Sequence, residues 1–131
     1  MKHLATVLLV GGGGFIGANL RYWIGGLIQS RAGADFPWQT MFANVTGSLV
    51  IGLFLGLMAG SNWNPNWRLF VAIGVLGGYT TYSSFSWESV AMLTEGQFGR
   101  AGVYIAFTAI GSVMAAWLGL VAARAMLGGR A

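Results

Sequence analysis

Residues 101–123 read AGVYIAFTAIGSVMAAWLGLVAA and contain no Asp, Glu, Lys or Arg. A helix needs about 20 mostly apolar residues to cross a bilayer, so this stretch predicts a transmembrane helix. Three other uncharged stretches precede it, at residues 4–20, 36–67 and 69–87. The sequence therefore predicts an all-α integral membrane protein with four transmembrane helices.

The composition supports the membrane class. Of the 131 residues, 56% are hydrophobic and 8% are charged, and the mean hydropathy is +0.67. A soluble domain has about a quarter of its residues charged. We expect spans near residues 4–28, 40–60, 69–93 and 101–127, joined by short turns in one domain over 1–131. The first apolar run shows no small-residue cleavage site, so we interpret it as a span rather than a signal peptide.

The basic residues are almost evenly divided between the two sides that four spans would create. One side would hold Lys2, Arg68, Arg124 and Arg130, and the other Arg21, Arg31 and Arg100. Because an excess of Lys and Arg sets the orientation of a helical membrane protein, we predict dual topology and an antiparallel homodimer. The scattered charges favour contact with membrane lipid headgroups and argue against a nucleic-acid partner.

Glycines recur every four residues on three of the predicted spans. The stripes are Gly13 and Gly17, then Gly52, Gly56 and Gly60, then Gly74 and Gly78. Small residues at this spacing let helix backbones approach closely in lipid. The contact they predict lies either within one subunit or between the two subunits of a dimer.

Ionisable side chains within the spans are too few for an enzyme. Acid–base catalysis, metal hydrolysis and proton-coupled transport all need such groups at depth. The sequence has no cysteine, and Glu88 lies near the predicted end of the third span. Small multidrug transporters have a similar size but rely on a carboxylate in the first span, where this chain has Thr6, Asn19 and Arg21.

A hydroxyl-rich run interrupts the third predicted span. Residues 79–86 read Tyr-Thr-Thr-Tyr-Ser-Ser-Phe-Ser and follow Gly77 and Gly78. Glycines before hydroxyl side chains are typical of a transmembrane helix that breaks and turns carbonyl oxygens toward a cavity. A kinked, well-packed helix is the alternative for any isolated pair within this run.

Other polar side chains could line a pathway through the spans. Asn44 lies within the second span, and Tyr104, Thr108 and Ser112 recur at i, i+4 and i+8 on one face of the fourth. Amide and hydroxyl hydrogens can solvate an anion without fixing it as a full countercharge would. Hydrogen bonding between helices remains the alternative for each of these residues alone.

Three segments resemble the Fluc (CrcB) family of fluoride channels. They are GGGFIGANLRY at 12–22, TMFANVTGS at 40–48 and, most specifically, GGYTTYSSFSWE at 77–88. The resemblance implies an antiparallel homodimer with two pores lined by both subunits. It also implies a structural sodium ion at the dimer centre and passive fluoride export across the cell (inner) membrane, which gives fluoride resistance.

The resemblance also implies roles for individual residues. The sodium ligands would be the main-chain carbonyls of Gly77 and Thr80. The pore residues would be Asn44, Tyr82, Phe85, Tyr104, Thr108 and Ser112, to which we add Ser84 of the hydroxyl-rich run. Tyr82 departs from the family, which usually has phenylalanine there. Arg21 would lie toward an aqueous vestibule, and an interfacial anchor is its alternative role.

The predicted mechanism is dehydration of fluoride in a narrow route. Asn44, hydroxyls and electropositive aromatic edges would replace the water shell of the ion, with binding weak enough for release. The alternative from another class is a structural membrane subunit whose polar residues only hold helices together.

Overall fold

The computed structural model describes residues 2–128, except for the side chain of Lys2. Arg130 and the Lys2 side chain, which enter the charge count above, therefore lie outside the described residues. The described chain forms helices joined by short non-helical segments and contains no strand. Its helices are α1 (Lys2–Ala32), α2 (Trp38–Ala59), α3, α4 (Tyr82–Thr94) and α5 (Phe98–Met126). We use α3 for the π-helix Arg68–Leu76 together with the α-helical turn Gly77–Tyr79 that continues it.

Three helices are long and apolar enough to cross a membrane: His3–Ala32, Trp38–Ala59 and Phe98–Met126. They confirm the multi-pass, all-α class for the described part of the chain. Neither α3 nor α4 alone reaches the roughly 20 residues that a span needs. The span predicted at 69–93 is divided between them, so the count of four spans stays a prediction.

The helices extend past several of the boundaries predicted from charge. α1 continues to Ala32 and α5 begins at Phe98, because polar residues near the bilayer surface do not prevent helical hydrogen bonding. α1 is followed by Gly33 at φ +82° and α4 by Gly96 at φ +74°. Only glycine adopts this left-handed backbone without steric cost, which explains why the two helices stop there.

Close helix packing accounts for the glycine stripes. α2 packs along α5, and α1 packs along α3. A Cβ atom on Gly52 would meet the carbonyl oxygen of Ala116 in α5, and one on Gly17 would meet that of Val75 in α3. The other stripe glycines also face residues of the same chain, namely Gly13, Gly56, Gly60, Gly74 and Gly78. Of the two contacts left open by the sequence, the one within a subunit accounts for these glycines.

Large apolar side chains cover the outside of the helices. Phe15, Trp87 and Val113 are each more than two-thirds exposed in the single subunit, as expected where lipid or a second subunit is the neighbour. The largest fully buried side chain is Tyr104, a polar residue. The interior of the subunit is therefore organised around hydrogen-bonded groups as well as apolar packing.

Candidate functional site

Helical hydrogen bonding stops between α3 and α4. Thr80 and Thr81 have extended backbones, with φ −82°, ψ 160° and φ −152°, ψ 116° respectively. The Asn44 side chain completes the hydrogen bonds of this segment. Its Oδ1 accepts from the Thr81 N–H at 2.7 Å, and its Nδ2 donates to the Thr81 carbonyl at 2.9 Å. A carboxamide suits this position because it supplies both an acceptor and a donor.

At this break the carbonyls of Gly77 and Thr80 lose their helical hydrogen-bond donors. In a continuous helix the Gly77 carbonyl would accept from the Thr81 N–H, which here donates to Asn44. The Thr80 carbonyl would accept from the Ser84 N–H, which here donates to Thr81 Oγ1 at 3.2 Å and caps α4. The carbonyl oxygens of Gly77 and Thr80 are therefore available to another ligand.

A cleft of about 450 Å³ lies against this break, between α2, α3, α4 and α5. Seven of the ten predicted site residues line it: Asn44, Gly77, Thr80, Tyr82, Phe85, Thr108 and Ser112. The hydroxyl oxygens of Thr108 and Ser112 are buried and have no hydrogen-bond partner within the described chain. Buried hydroxyls normally find a partner, so these two are unsatisfied polar groups beside the cleft.

Tyr104 is placed differently from Thr108 and Ser112, the other two predicted site residues on α5. Its side chain is completely buried and does not line the cleft. Its hydroxyl donates to Glu88 Oε2 at 2.6 Å, while the Thr40 hydroxyl donates to Glu88 Oε1 at 2.8 Å. Glu88 and Thr40 are not among the site residues predicted from the sequence. The only available signal was a carboxylate close to the hydroxyl-rich run.

Aromatic rings connect the cleft to this hydrogen-bonded group. The centroids of Tyr82 and Phe85 are 5.6 Å apart, and those of Phe85 and Tyr104 are 5.4 Å apart. Tyr82 is 81% exposed in the single subunit, whereas Phe85 is half-buried. The two rings are thus adjacent, and Tyr82 is free to meet a further partner.

A second, more polar pocket adjoins the cleft at Thr81. It contains Arg21 and Ser84, together with both members of the Thr40–Glu88 hydrogen bond. Arg21 lies on α1 and is half-buried, and it is the basic residue among those that line this pocket. The vestibule role and the interfacial-anchor role of Arg21 both stay predictions.

The sequence of the chain matches one family model over residues 8–120, described as CrcB-like protein, Camphor Resistance (CrcB). The chain belongs to the CrcB family. This membership confirms the resemblance drawn from the three sequence segments.

Relatives in the CrcB family agree along almost the whole chain. A fluoride-specific ion channel FluC of Thermus thermophilus is 44% identical over 121 residues, covering 92% of this chain and 97% of the relative. The FluC of Rhizobium meliloti is 44% identical over 128 residues, covering 97% of this chain and all of the relative. The FluC of Rhodospirillum rubrum is 42% identical over 121 residues, covering 90% and 94% respectively. These relatives are ion channels, and this CrcB chain is not an enzyme.

The donor atoms at the break suit a hard cation. Among the described residues, no three His, Cys, Asp or Glu side chains are grouped as a metal site would require. Main-chain carbonyls are the alternative oxygen ligands, and those of Gly77 and Thr80 have lost their helical donors. Oxygen-only coordination is preferred by hard ions of the s-block. The residues of this CrcB chain therefore fit the sodium ligands that the resemblance implies.

Proposed function

We propose that this chain is a fluoride-specific ion channel that lets fluoride leave the cell passively across the inner membrane. The observation that carries the proposal is that Thr108 and Ser112, two residues that line the cleft, have buried hydroxyl oxygens without a partner in the described chain. Relatives more than 40% identical over nearly the full chain are fluoride-specific channels. Hydroxyl donors in a narrow site favour a small anion that makes strong hydrogen bonds.

The proposed assembly is an antiparallel homodimer of subunits with four spans each. The third span would consist of α3 and α4, with the break at Thr80 and Thr81 inside the bilayer. The cleft is open on one side and Tyr82 is 81% exposed, which supports a second subunit as the missing wall. Two such clefts in the dimer would give two pores.

A structural sodium ion is proposed at the centre of this dimer. Each subunit would contribute the carbonyls of Gly77 and Thr80, whose helical donors are turned away. A bound cation would offset the negative ends of these carbonyl dipoles without any carboxylate. Asn44 holds the Thr80–Thr81 backbone extended, and the chain would thereby present the carbonyl oxygens of Gly77 and Thr80 to the ion.

The proposed route for fluoride begins at Arg21, whose charge attracts anions to the polar pocket. It continues past Ser84 and the ring edges of Tyr82 and Phe85, which are electropositive. Thr108 and Ser112 then supply hydroxyl hydrogens along α5. Asn44 retains one amide hydrogen beyond the one it donates to Thr81, and this hydrogen remains available to the ion.

Fluoride efflux from liposomes tests the proposal directly. Purified protein is reconstituted into vesicles loaded with potassium fluoride, and a fluoride electrode follows release after a potassium ionophore is added. We expect rapid fluoride release, and no comparable chloride release from matched vesicles. Release no faster than from protein-free vesicles would favour the structural membrane subunit instead.

A further inference from the structure

The loop between α1 and α2 contacts the interior of the subunit through an aromatic ring. Phe36 lies in this loop, and its ring meets that of Tyr104 edge-on, with centroids 5.6 Å apart and planes at 87°. Phe85 contacts Tyr104 as well, at 5.4 Å between centroids. The buried Tyr104 ring is therefore held between a loop residue and a residue of the cleft.

The same loop is fixed to α5 one helical turn earlier. Arg100 donates through Nη2 to the main-chain carbonyl of Asp35 and through Nη1 to Gln97 Oε1 at 3.0 Å. Two consecutive loop residues thus contact α5 residues four positions apart, which lie on one face of that helix. The loop backbone also closes on itself, since the Trp38 N–H donates to the Phe36 carbonyl at 2.8 Å.

We propose that this loop positions the Tyr104 hydroxyl against Glu88, with Phe36 as the positioning residue and Arg100 as its anchor. The inference rests on the proposed fluoride route. Tyr104 has little freedom while Phe36 contacts its ring, so its hydroxyl remains on Glu88 Oε2. Without Phe36 the Tyr104 side chain gains other rotamers, and in these Glu88 Oε2 loses the hydrogen bond that the Tyr104 hydroxyl donates. A less neutralised Glu88 repels fluoride in the adjoining pocket, so flux falls.

A double-mutant cycle separates positioning from simple packing. Tyr104→Phe keeps the ring that Phe36 contacts but removes the hydroxyl. We expect Phe36→Leu to slow fluoride efflux about two- to tenfold, the range given by one edge-to-face aromatic contact, and to cause no further slowing when combined with Tyr104→Phe. An equal fold loss in both backgrounds would overturn the proposal, because packing alone does not depend on the hydroxyl.

The matched control is Phe54→Leu. Phe54 has its own aromatic partner, Trp63, at 5.8 Å between centroids and lies outside the cleft. We expect Phe54→Leu to leave efflux unchanged when both proteins are compared at equal dimer content by size-exclusion chromatography. If Phe54→Leu slows efflux as much as Phe36→Leu does, the effect is general destabilisation and the proposal is wrong.

A second measurement does not depend on flux. Fluorotyrosine placed at position 104 gives a ¹⁹F NMR resonance that reports the ring's surroundings. We expect Phe36→Leu and Arg100→Gln to shift or broaden this resonance. Arg31→Gln is the control: it removes a positive charge from the last turn of α1 and should leave the resonance unchanged. An unchanged resonance in Phe36→Leu would overturn the positioning role. Absence of flux in the unmodified chain would instead reject the proposed channel function.

Discussion

Phe85 and Tyr82 both line the cleft, but only Tyr82 carries a hydroxyl on its ring. Phe85→Ile keeps apolar bulk but removes the electropositive edge, so we expect fluoride efflux to fall about tenfold or more, equivalent to ~1.4 kcal/mol of barrier. Tyr82→Phe keeps the edge and should leave efflux intact or faster. Initial efflux rates from liposomes check both. Normal rates in Phe85→Ile with loss in Tyr82→Phe would identify the Tyr82 hydroxyl as the ligand.

Asn44 satisfies both polar groups of one residue at the break, the N–H and the carbonyl of Thr81. Asn44→Ala leaves both without a partner in a part-buried site, so we expect a loss of about 1–3 kcal/mol in stability. Thermal unfolding in detergent measures the change. Asn62→Ala, in the exposed loop before α3, is the control and should unfold like the unmodified protein. Equal unfolding temperatures for both variants would show that Asn44 does not hold the break.

Side-chain identity predicted some of the site and missed other parts of it. Asn44, Thr108 and Ser112 stood out because polar groups are rare within apolar spans. Glu88 and Thr40 did not, since their bond joins residues 48 positions apart and depends on how α4 packs. Tyr104 shares a face with Thr108 on α5, yet its hydroxyl turns to Glu88 rather than into the cleft. The spacing of residues along the sequence predicts which face of a helix they share, but the hydrogen-bond partner of each side chain depends on how the helices pack.

The break between α3 and α4 is the element on which the sodium proposal depends. Replacing sodium with N-methylglucamine should lower the thermal stability of the unmodified protein, because the carbonyls of Gly77 and Thr80 would lose the proposed cation. The paired change Thr80→Ala and Thr81→Ala favours a continuous helix and should abolish this sodium dependence. Thr80→Ser, which keeps a hydroxyl able to bond Leu76, should retain it. An unmodified protein that is indifferent to sodium would contradict the proposed site.

Contact between α1 and α3 leaves no room for a side chain at Gly17. Gly17→Ala would place a Cβ against the Val75 carbonyl, a backbone atom that cannot rotate away. We expect a loss of about 1–3 kcal/mol in stability, as for other overpacked contacts. Gly12→Ala is the matched control on the same helix, since no neighbouring group comes within 4 Å of a Cβ atom placed there. Equal unfolding temperatures for Gly17→Ala and Gly12→Ala would mean that α1 and α3 can move apart at little energetic cost.

The elements differ in how far sequence alone could predict them. α2 and α5 follow from long uncharged stretches and form close to the expected positions. The π-helix Arg68–Leu76 has no comparable sequence signal. It lies where α3 packs on the glycines of α1, and π-helices are so rare that composition alone does not predict one. The glycine spacing predicted close approach but not the wider helical turn.

At the scale of the whole molecule, the near balance of basic residues predicts that single chains insert in both orientations. Asn62→Lys with Asn66→Lys adds two charges to the loop before α3. Ala34→Lys, in the loop after α1, with Thr94→Lys, at the end of α4, adds two charges at the other predicted side. Since Lys and Arg favour the cytoplasmic side, we expect these two variants to insert in opposite single orientations. Topology reporters fused to the C-terminus measure the orientation. A one-sided reporter signal from the unmodified chain would remove the main sequence support for an antiparallel dimer.

Orientation should then control function, because in the proposed dimer the cleft of one subunit would be completed only by a second subunit facing the other way. Either lysine variant expressed alone should give little fluoride resistance in cells that lack their own exporter. Both expressed together supply the two orientations and should restore resistance toward that of the unmodified chain. A loss of fluoride resistance could not be attributed to altered cleft residues, since the four substituted positions lie outside the cleft. Full resistance from a single variant with one fixed orientation would show that a pore forms without an antiparallel partner.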